Sequence, residues 1–248
     1  VGKKIGRPDI LSFDMGGTTA KAALVEKGLP KISPMMEVAR TNRFKKGSGL
    51  PVFVPVIDMI EIGAGGGSIA RVDALGLLKV GPESAGADPG PACYSKGGNL
   101  PTVTDASLLL GYLDPNYFLG GTMSLDKAAA VEAMTGLSKE LGLSVLETAR
   151  GIYDLVCENM AAAARVHIVE TGRDPRGYAM VAMGGAGPLH AATVAGKLGI
   201  KEIIIPAASG TASALGFLGS PISYSVTKSK PILFNEFDVS AIENLLQQ

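Results

Sequence analysis

Tryptophan is absent from this chain, histidine and cysteine each occur only twice, and aromatic residues make up 5% of it. The two cysteines, Cys93 and Cys157, form no C-x-x-C spacing, which excludes a zinc ribbon or a disulfide framework and fits a reduced, cytoplasmic setting. Acidic and basic residues balance at 23 each. With no charge excess and few stacking side chains, nothing points to a nucleic acid or an anionic membrane as partner. No apolar run reaches the roughly 18 residues needed to cross a bilayer, and the opening Val1-Gly2-Lys3-Lys4-Ile5 is not a signal peptide. A soluble protein with a small-molecule partner is expected.

What the sequence does have is glycine, 33 residues of it, together with 15 prolines. A 248-residue chain that is 46% hydrophobic and 19% charged is globular, with length for one large domain or two small ones. Its glycines cluster at 16–17, 63–67, 81–90, 97–98, 120–121 and 184–187, as backbone does where it must approach a ligand or other backbone. The first cluster lies in Ser12-Phe13-Asp14-Met15-Gly16-Gly17-Thr18-Thr19-Ala20-Lys21, between apolar runs over 9–13 and 22–25. It predicts a tight β-hairpin rather than a strand-to-helix phosphate loop. Gly16 and Gly17 can take positive φ, Thr18 and Thr19 offer hydroxyls and amides to phosphate oxygens, and Asp14 at the strand end can hold Mg²⁺. A purely structural Gly-Gly turn fits the same residues.

Residues 29–57 predict a third strand and then an exposed loop carrying the basic stretch Arg40 to Lys46; a further strand over 52–62 contains Asp58 and Glu61, acids that need partners in an apolar run. Gly63 to Gly67 follow, and strands over 69–72 and 77–80 turn at Asp73 to Gly76. Four glycines in five residues would bring several N–H donors to one point, suiting a carboxylate, phosphate or amide oxygen; a ligand-free glycine bulge is the alternative. The Gly/Pro-rich segment 81–101 sustains neither helix nor strand, and long ordered loops of this kind are usually functional. Cys93 within it has no histidine nearby in sequence and reads as a packed thiol.

Beyond residue 102 the pattern becomes helical. Thr104-Asp105 is expected to cap a helix over 106–111, Ser124 one running through Asp126 to Met134, and Ser144 with Glu147 forms a capping-box signature for a long helix that ends at Gly172. Leu146, Ala149, Tyr153, Val156, Met160, Ala163 and His167 share one face of it. A strand over 178–183 leads into Gly184-Gly185-Ala186-Gly187-Pro188-Leu189-His190, then a helix over 188–198, a strand over 201–205 and a helix over 211–218. Such a strand–glycine–helix unit can aim amides and a helix dipole at a nucleotide. A last helix is expected over 239–248.

Taken together, Asp14 to Thr19, Glu61 to Ser68, Gly81 to Tyr94 and Gly184 to Ala191 resemble, in order, the motifs of the hydantoinase A/5-oxoprolinase family, relatives of the smaller acetone carboxylase subunit, over roughly residues 9–225. The resemblance implies an α/β fold: an RNase H-like lobe of the actin-like ATPase superfamily, a mixed sheet flanked by helices with a glycine-rich β/loop insertion at about 50–101. It implies one such lobe over 1–238, with 239–248 opening a further segment and the N-terminal lobe, which carries another phosphate loop, missing. It also implies ATP and Mg²⁺ as cofactors and ATP-dependent opening of a cyclic amide, in which the phosphorylated amide oxygen becomes a leaving group. A hydantoinase B-type subunit or fused domain is the implied partner, in an oligomer. Asp14 would then hold Mg²⁺, Gly16, Gly17, Thr18 and Thr19 the β/γ-phosphates, and Gly184, Gly185 and Gly187 the nucleoside and α-phosphate. Glu61, Gly65 to Ser68, and Asp88 are the substrate-side candidates. A partner-remodelling ATPase of the same fold and a non-catalytic interaction domain remain alternatives.

Overall fold

A computed structural model of the chain describes residues 1–39, 41, 47–219, 222, 231, 239–240 and 243–244. It divides into two units, Val1–Ala214 and Leu215–Gln248. The first opens with strands β1 (Ile10–Met15) and β2 (Ala20–Glu26), followed by the short strands β3 (Leu29–Pro30), β4 (Ile32–Ser33), β5 (Met36–Val38), β6 (Leu50–Val52) and β7 (Val56–Ile57). Next come β8 (Met59–Ile62), β9 (Ser68–Val72) and β10 (Leu78–Ser84), then helices α1 (Val103–Leu109), α2 (Lys127–Leu141) and α3 (Val145–Glu170). A second alternation closes it: β11 (Ala179–Met183), α4 (Gly187–Leu198), β12 (Ile203–Ile204) and α5 (Ala212–Leu218), the last running across into the second unit. Of the second unit's own residues, 215–219, 222, 231 and the helical pairs at 239–240 and 243–244 are described; the rest of the helix expected over 239–248 lies outside the described residues.

The main sheet runs β12-β11-β1-β2-β3, with β8 also on β2. β1 pairs parallel with β11 and antiparallel with β2, and β11 pairs parallel with β12. This is a mixed sheet, and β1 is where its direction changes. Leu11, Phe13 and Met15 of β1 alternate inward onto a core shared with Ala20, Ala22 and Leu24 of β2, Ile60 and Ile62 of β8, and Met180 and Ala182 of β11. α1, α3 and α4 cover that face through Val103, Ile152, Val156, Met160, Val194 and Leu198. In a core without tryptophan, methionines fill the irregular gaps, among them Met15, Met134, Met160 and Met180, all fully buried. The capping box of α3 forms, the Ser144 hydroxyl accepting from the Glu147 N–H at 3.2 Å and the Glu147 carboxylate from the Ser144 N–H at 2.9 Å. Leu146 alone of its expected inward face is exposed, while Ala149, Tyr153, Val156, Met160, Ala163 and His167 are buried.

Elsewhere the local structure departs from the sequence reading. The single third strand expected after residue 29 is instead a β-arm of short pairings, β4 with β7 and β5 with β6, because Pro30, Pro34, Pro51 and Pro55 interrupt every run; of the basic stretch, Arg40 and residues 42–46 lie outside the described residues. β8 starts only at Met59, and the two acids find lysines: Asp58 lies 3.1 Å from Lys31 and Glu61 3.8 Å from Lys21. β10 extends to Ser84, into the segment expected to be irregular. α1 is capped by Thr102, not Thr104, and α2 by Asp126, not Ser124. Each of these stretches offers several capping residues, and the strand or turn before it decides which one stands at the helix start.

The loop over 85–101 is held by one buried carboxylate. Asp105, fully buried, accepts from the Cys93 N–H at 2.8 Å, the Ala92 N–H at 3.3 Å, the Thr102 N–H at 3.0 Å and the Thr102 hydroxyl at 2.7 Å. Cys93 is correspondingly buried, and burial with the adjacent carboxylate pushes its thiol far above the ordinary range, so it is a packed thiol. Removing the Asp105 carboxylate would strand these donors in the interior. Asp105→Ala is expected to lower unfolding free energy by about 3 kcal/mol or more, while removal of the exposed cap in Asp126→Ala costs clearly less; urea unfolding of the two variants checks the order.

Candidate functional site

β1 and β2 close on Gly16–Thr19, with the Gly16 N–H donating to the Thr19 carbonyl at 3.0 Å. Neither Gly16 nor Gly17 takes the positive φ anticipated for it, and a Cβ on either would meet nothing within 4 Å. The hairpin is shaped from outside by the second glycine cluster. Gly66 N–H donates to the Gly16 carbonyl at 3.0 Å and Gly67 N–H to the Gly17 carbonyl at 2.7 Å. Gly65 packs so closely that a Cβ there would sit 2.5 Å from the Gly17 carbonyl and the Thr18 nitrogen. The cluster is anchored in turn by α1, since the Thr104 N–H and hydroxyl both donate to the Gly66 carbonyl at 2.8 Å.

The amides of 64–68 are therefore spent. Gly65 donates to the Ser68 hydroxyl at 2.9 Å, Ser68 to the Gly65 carbonyl at 3.1 Å, and Ala64 to the Ile62 carbonyl at 2.7 Å. The expectation that this cluster presents its donors to a ligand is corrected, because those donors bind the hairpin. The consequence falls on the hairpin itself. Across a trans peptide C=O and N–H point oppositely. With the Gly16 and Gly17 carbonyls turned to Gly66 and Gly67, the N–H groups of Gly17 and Thr18 face the other way. Among the described residues the amides of Gly17, Thr18 and Thr19 and the hydroxyls of Thr18 and Thr19 have no protein partner.

Two further segments meet at the same end of the sheet, outside the carboxyl ends of the parallel strands, where ligands of open α/β sheets bind. The Gly184–Gly187 turn after β11 docks on β1 through the Ala186 N–H to the Met15 carbonyl at 2.9 Å, and Gly184, at φ 82°, leaves no room for a Cβ against Met15 and the Asp14 carboxylate. A Cβ on Gly185 meets nothing. The segment after β12 returns to this turn, the Gly184 N–H donating to the Ser209 carbonyl at 2.9 Å, and the Ser213 hydroxyl donates to Asp14 Oδ2. Sequence reasoning had no signal for Ser213.

The structure thus brings Asp14, Gly16, Gly17, Thr18, Thr19, Gly184, Gly185 and Gly187 to one place. Glu61 is set apart. Strand register puts Met183, Asp14, Lys21 and Glu61 in one cross-strand row, with Lys21 between the acids and Glu61 two strand spacings, roughly 10 Å, from Asp14. Asp88 is exposed on the 84–90 loop, which reaches the hairpin's support through the Ala85 N–H to the Gly67 carbonyl at 2.9 Å. No bond of Asp88 itself ties it to the hairpin. Among the described residues no group of three or more His, Cys, Asp or Glu side chains could hold a metal by itself. A Mg²⁺ taken up here would use the Asp14 carboxylate with ligand oxygens, a coordination that suits this ion. Two clefts lie elsewhere, one around Arg7, Asp9, Arg176 and Glu202 at the amino end of the parallel strands, the other along the β-arm by Ile32, Met36, Ile57 and Met59.

Beneath α4 lies a cluster that the sequence did not pair. Cys157 Sγ is 3.4 Å from His190 Nδ1, the Tyr153 ring stacks on the imidazole at 4.9 Å, and the Tyr153 hydroxyl donates to the Leu189 carbonyl at 3.0 Å. Burial pushes the Cys157 thiol up to about 12 and the His190 imidazole down to about 4, so both are neutral near pH 7 and do not form a thiolate–imidazolium couple. Nε2 of His190 is buried without a partner. The cluster fixes the first turn of α4 against α3.

The class defined by this fold and site is an α/β protein with a mixed sheet flanked by helices and its glycine turns gathered at the carboxyl end of the parallel strands. Residues 1–225 match the hydantoinase/oxoprolinase family, and the chain belongs to that family. It is 46% identical over 241 residues to an uncharacterized protein of Methanocaldococcus jannaschii, covering 95% of this chain and 35% of that one. It is 39% identical over 251 residues to the caprolactamase alpha subunit of Pseudomonas jessenii, covering 100% of this chain and 35% of the relative. The crystal structure of that ATP-dependent caprolactamase superposes with a TM-score of 0.74 at 40% identity, over 87% of this chain and 30% of the other. A nucleotide-free structure of acetone carboxylase gives 0.76 at 32% identity, over 87% and 29%. The chain spans about a third of the length of these two curated relatives. Among the described residues no helix is long and apolar enough to cross a membrane.

Two stability predictions follow from this geometry. Gly65→Ala must displace the Gly17–Thr18 backbone and is expected to cost about 1–3 kcal/mol, whereas Gly17→Ala, with open space at its Cβ, changes stability by less than about 1 kcal/mol; equal losses in urea unfolding would contradict the packing described. For His190 the folded imidazole titrates at about 4 against 6.5 unperturbed. The unfolded chain therefore binds a proton that the folded chain refuses between those values. The stability this provides is complete above about pH 6.5 and is lost as pH falls toward 4, a change on the order of 3 kcal/mol. His190→Gln should flatten that part of the profile; a wild-type slope retained in the variant would assign it to other groups.

Proposed function

We propose that this chain is part of the ATP-using portion of an enzyme that opens a cyclic amide, such as a hydantoin, 5-oxoproline or a related lactam. The observation that carries this is the run of unpartnered amides at Gly17, Thr18 and Thr19, with two free hydroxyls, beside the Asp14 carboxylate. Water alone satisfies exposed amides, but a hairpin whose carbonyls are pinned behind it and whose Cβ positions are clear leaves successive amides open to an anion such as a phosphate group. Asp14 would take Mg²⁺. Gly17, Thr18 and Thr19 would bind phosphate oxygens through their amides, and Gly16, whose amide is committed to Thr19, contributes clearance. Gly185 and Gly187 would face the nucleoside and α-phosphate, with Gly184 giving the turn its positive φ. Glu61, by way of Lys21, and Asp88 are assigned to the substrate side.

ATP, when bound, supplies a phosphoryl group that turns an amide oxygen into a leaving group. The residues here orient and neutralise rather than attack, which is what phosphoryl transfer requires of a protein. The mixed sheet order supports an RNase H-like lobe of the actin-like ATPase kind. Caprolactam opening and acetone carboxylation are both ATP-dependent in these relatives, which favours a cyclic amide or, as the neighbouring chemistry, a ketone to be carboxylated. A hydantoinase B-type chain or domain is the proposed partner, within an oligomer. The β-arm favours such assembly, since Leu29, Leu50 and Phe53 stand 66%, 67% and 81% exposed.

Calorimetric titration of the chain with Mg-ATP, beside Asp14→Ala and Gly17→Ala, tests the site. Binding is expected for the wild type and a loss of at least tenfold in each variant. Wild-type affinity retained in Asp14→Ala would remove this carboxylate from the site. Phosphate release that rises with a lactam, and not with a ketone plus bicarbonate, would select the amide reading for the assembled enzyme.

A further inference from the structure

We infer that Ser213 is a positioning residue for Asp14, setting the orientation in which that carboxylate receives a divalent cation. The inference rests on the phosphate-site reading above. Asp14 stands next to the end of β1, half-buried, and its two oxygens have different surroundings. Oδ2 accepts the hydroxyl proton of Ser213. Oδ1 lies beside the Gly184 backbone, close enough that a Cβ on Gly184 would collide with it. No ion pair joins Asp14 to Lys21, its cross-strand neighbour, because Lys21 is drawn toward Glu61 at 3.8 Å. Among the described residues the Ser213 hydroxyl is thus the sole hydrogen-bond donor to this carboxylate.

Ser213 is itself held. Its segment is fastened to the Gly184 turn by the Gly184 N–H to the Ser209 carbonyl at 2.9 Å, and closed on itself by the Thr211 N–H to the Ala208 carbonyl at 2.9 Å. Three stretches far apart in sequence, at Asp14, Gly184 and Ser213, are therefore coupled through one carboxylate. The hydroxyl bond on Oδ2 and the Gly184 backbone beside Oδ1 restrict how the carboxylate can turn, while no hydrogen-bond donor among the described residues takes the Oδ1 lone pairs. Mg²⁺ demands near-octahedral geometry at short distance, and Ca²⁺ tolerates variable geometry. An oriented carboxylate consequently matters more to the smaller ion.

The test is ATP titration of the wild type, Ser213→Ala and Ser213→Thr at varied free Mg²⁺ or Ca²⁺, and also in chelator. Ser213→Ala is expected to raise the apparent Mg²⁺ constant roughly tenfold, the size of one hydrogen bond to a charged group. Its Ca²⁺ constant should move less, its metal-free ATP affinity should stay within twofold, and Ser213→Thr, which keeps the hydroxyl, should restore Mg²⁺ dependence. A purely structural role would weaken metal-free binding and both cations alike, and would overturn the inference. So would a Mg²⁺ constant in Ser213→Ala equal to that of a wild type that binds Mg-ATP. Failure of the wild type itself to bind ATP in a metal-dependent way would instead refute the phosphate-site reading, and the role of Ser213 with it.

Discussion

Two backbone hydrogen bonds, from the Gly66 and Gly67 amides to the Gly16 and Gly17 carbonyls, set everything that the rest of the site depends on. A short hairpin loop with two glycines can adopt more than one turn type, and its peptide planes face differently in each. Here both carbonyls are pulled to one side by a second turn, which is itself gripped by the Thr104 amide and hydroxyl at the start of α1. The planarity of the peptide then delivers the N–H groups to the other side without further cost. The site is preorganised by the reciprocity of donor and acceptor along one chain, and α1, which holds Gly66 through Thr104, 38 residues further on, is part of it.

This explains both what was legible in the sequence and what was not. The hairpin could be read because Gly-Gly between two apolar runs has few other solutions, and the α3 capping box because Ser144 and Glu147 act locally. The second glycine cluster was read as a set of donors, which it is, but its direction depends on what lies 50 residues upstream. Composition counts N–H groups and cannot aim them. The same limit applies to Ser213, a serine in an Ala/Gly/Ser-rich stretch that acquires meaning only when β12 returns its loop to the end of β1. It applies again to Cys157 and His190, brought to 3.4 Å across the α3–α4 packing. The caps of α1 and α2 were misplaced by short steps for a different reason, the presence of several competent side chains within one turn.

The buried polar groups divide the labour with these surface donors. Asp105 collects the amides of the 85–101 loop and the His190 cluster fixes α4 against α3, so neither acts on a ligand. Asp105 holds the loop whose Ala85 amide reaches the hairpin's support at Gly67, and the His190 cluster lies under the helix that follows the Gly184–Gly187 turn. A charge such as Asp105 inside a core is expensive unless saturated with donors, and its four contacts meet that condition.

The glycines carry the remaining step. Gly65, Gly67 and Gly184 are required by collisions with neighbouring backbone or side chains, and many others by positive φ in turns. Gly16, Gly17 and Gly185 meet neither requirement, since each has ordinary φ and empty space where a Cβ would be. Open glycines are not diagnostic by themselves, because Gly136 and Gly196 on helices share the property. The difference is position. Three open glycines lie at the end of the sheet where its strand direction changes, on the hairpin and the Gly184–Gly187 turn that flank the Asp14 carboxylate, and there a Cβ would meet nothing of the chain itself. A glycine that neither the backbone nor the packing of its own protein requires, set beside amides that its own protein does not use, leaves the backbone clear on the side where those amides point, and it is on that clearance that the phosphate-site proposal rests.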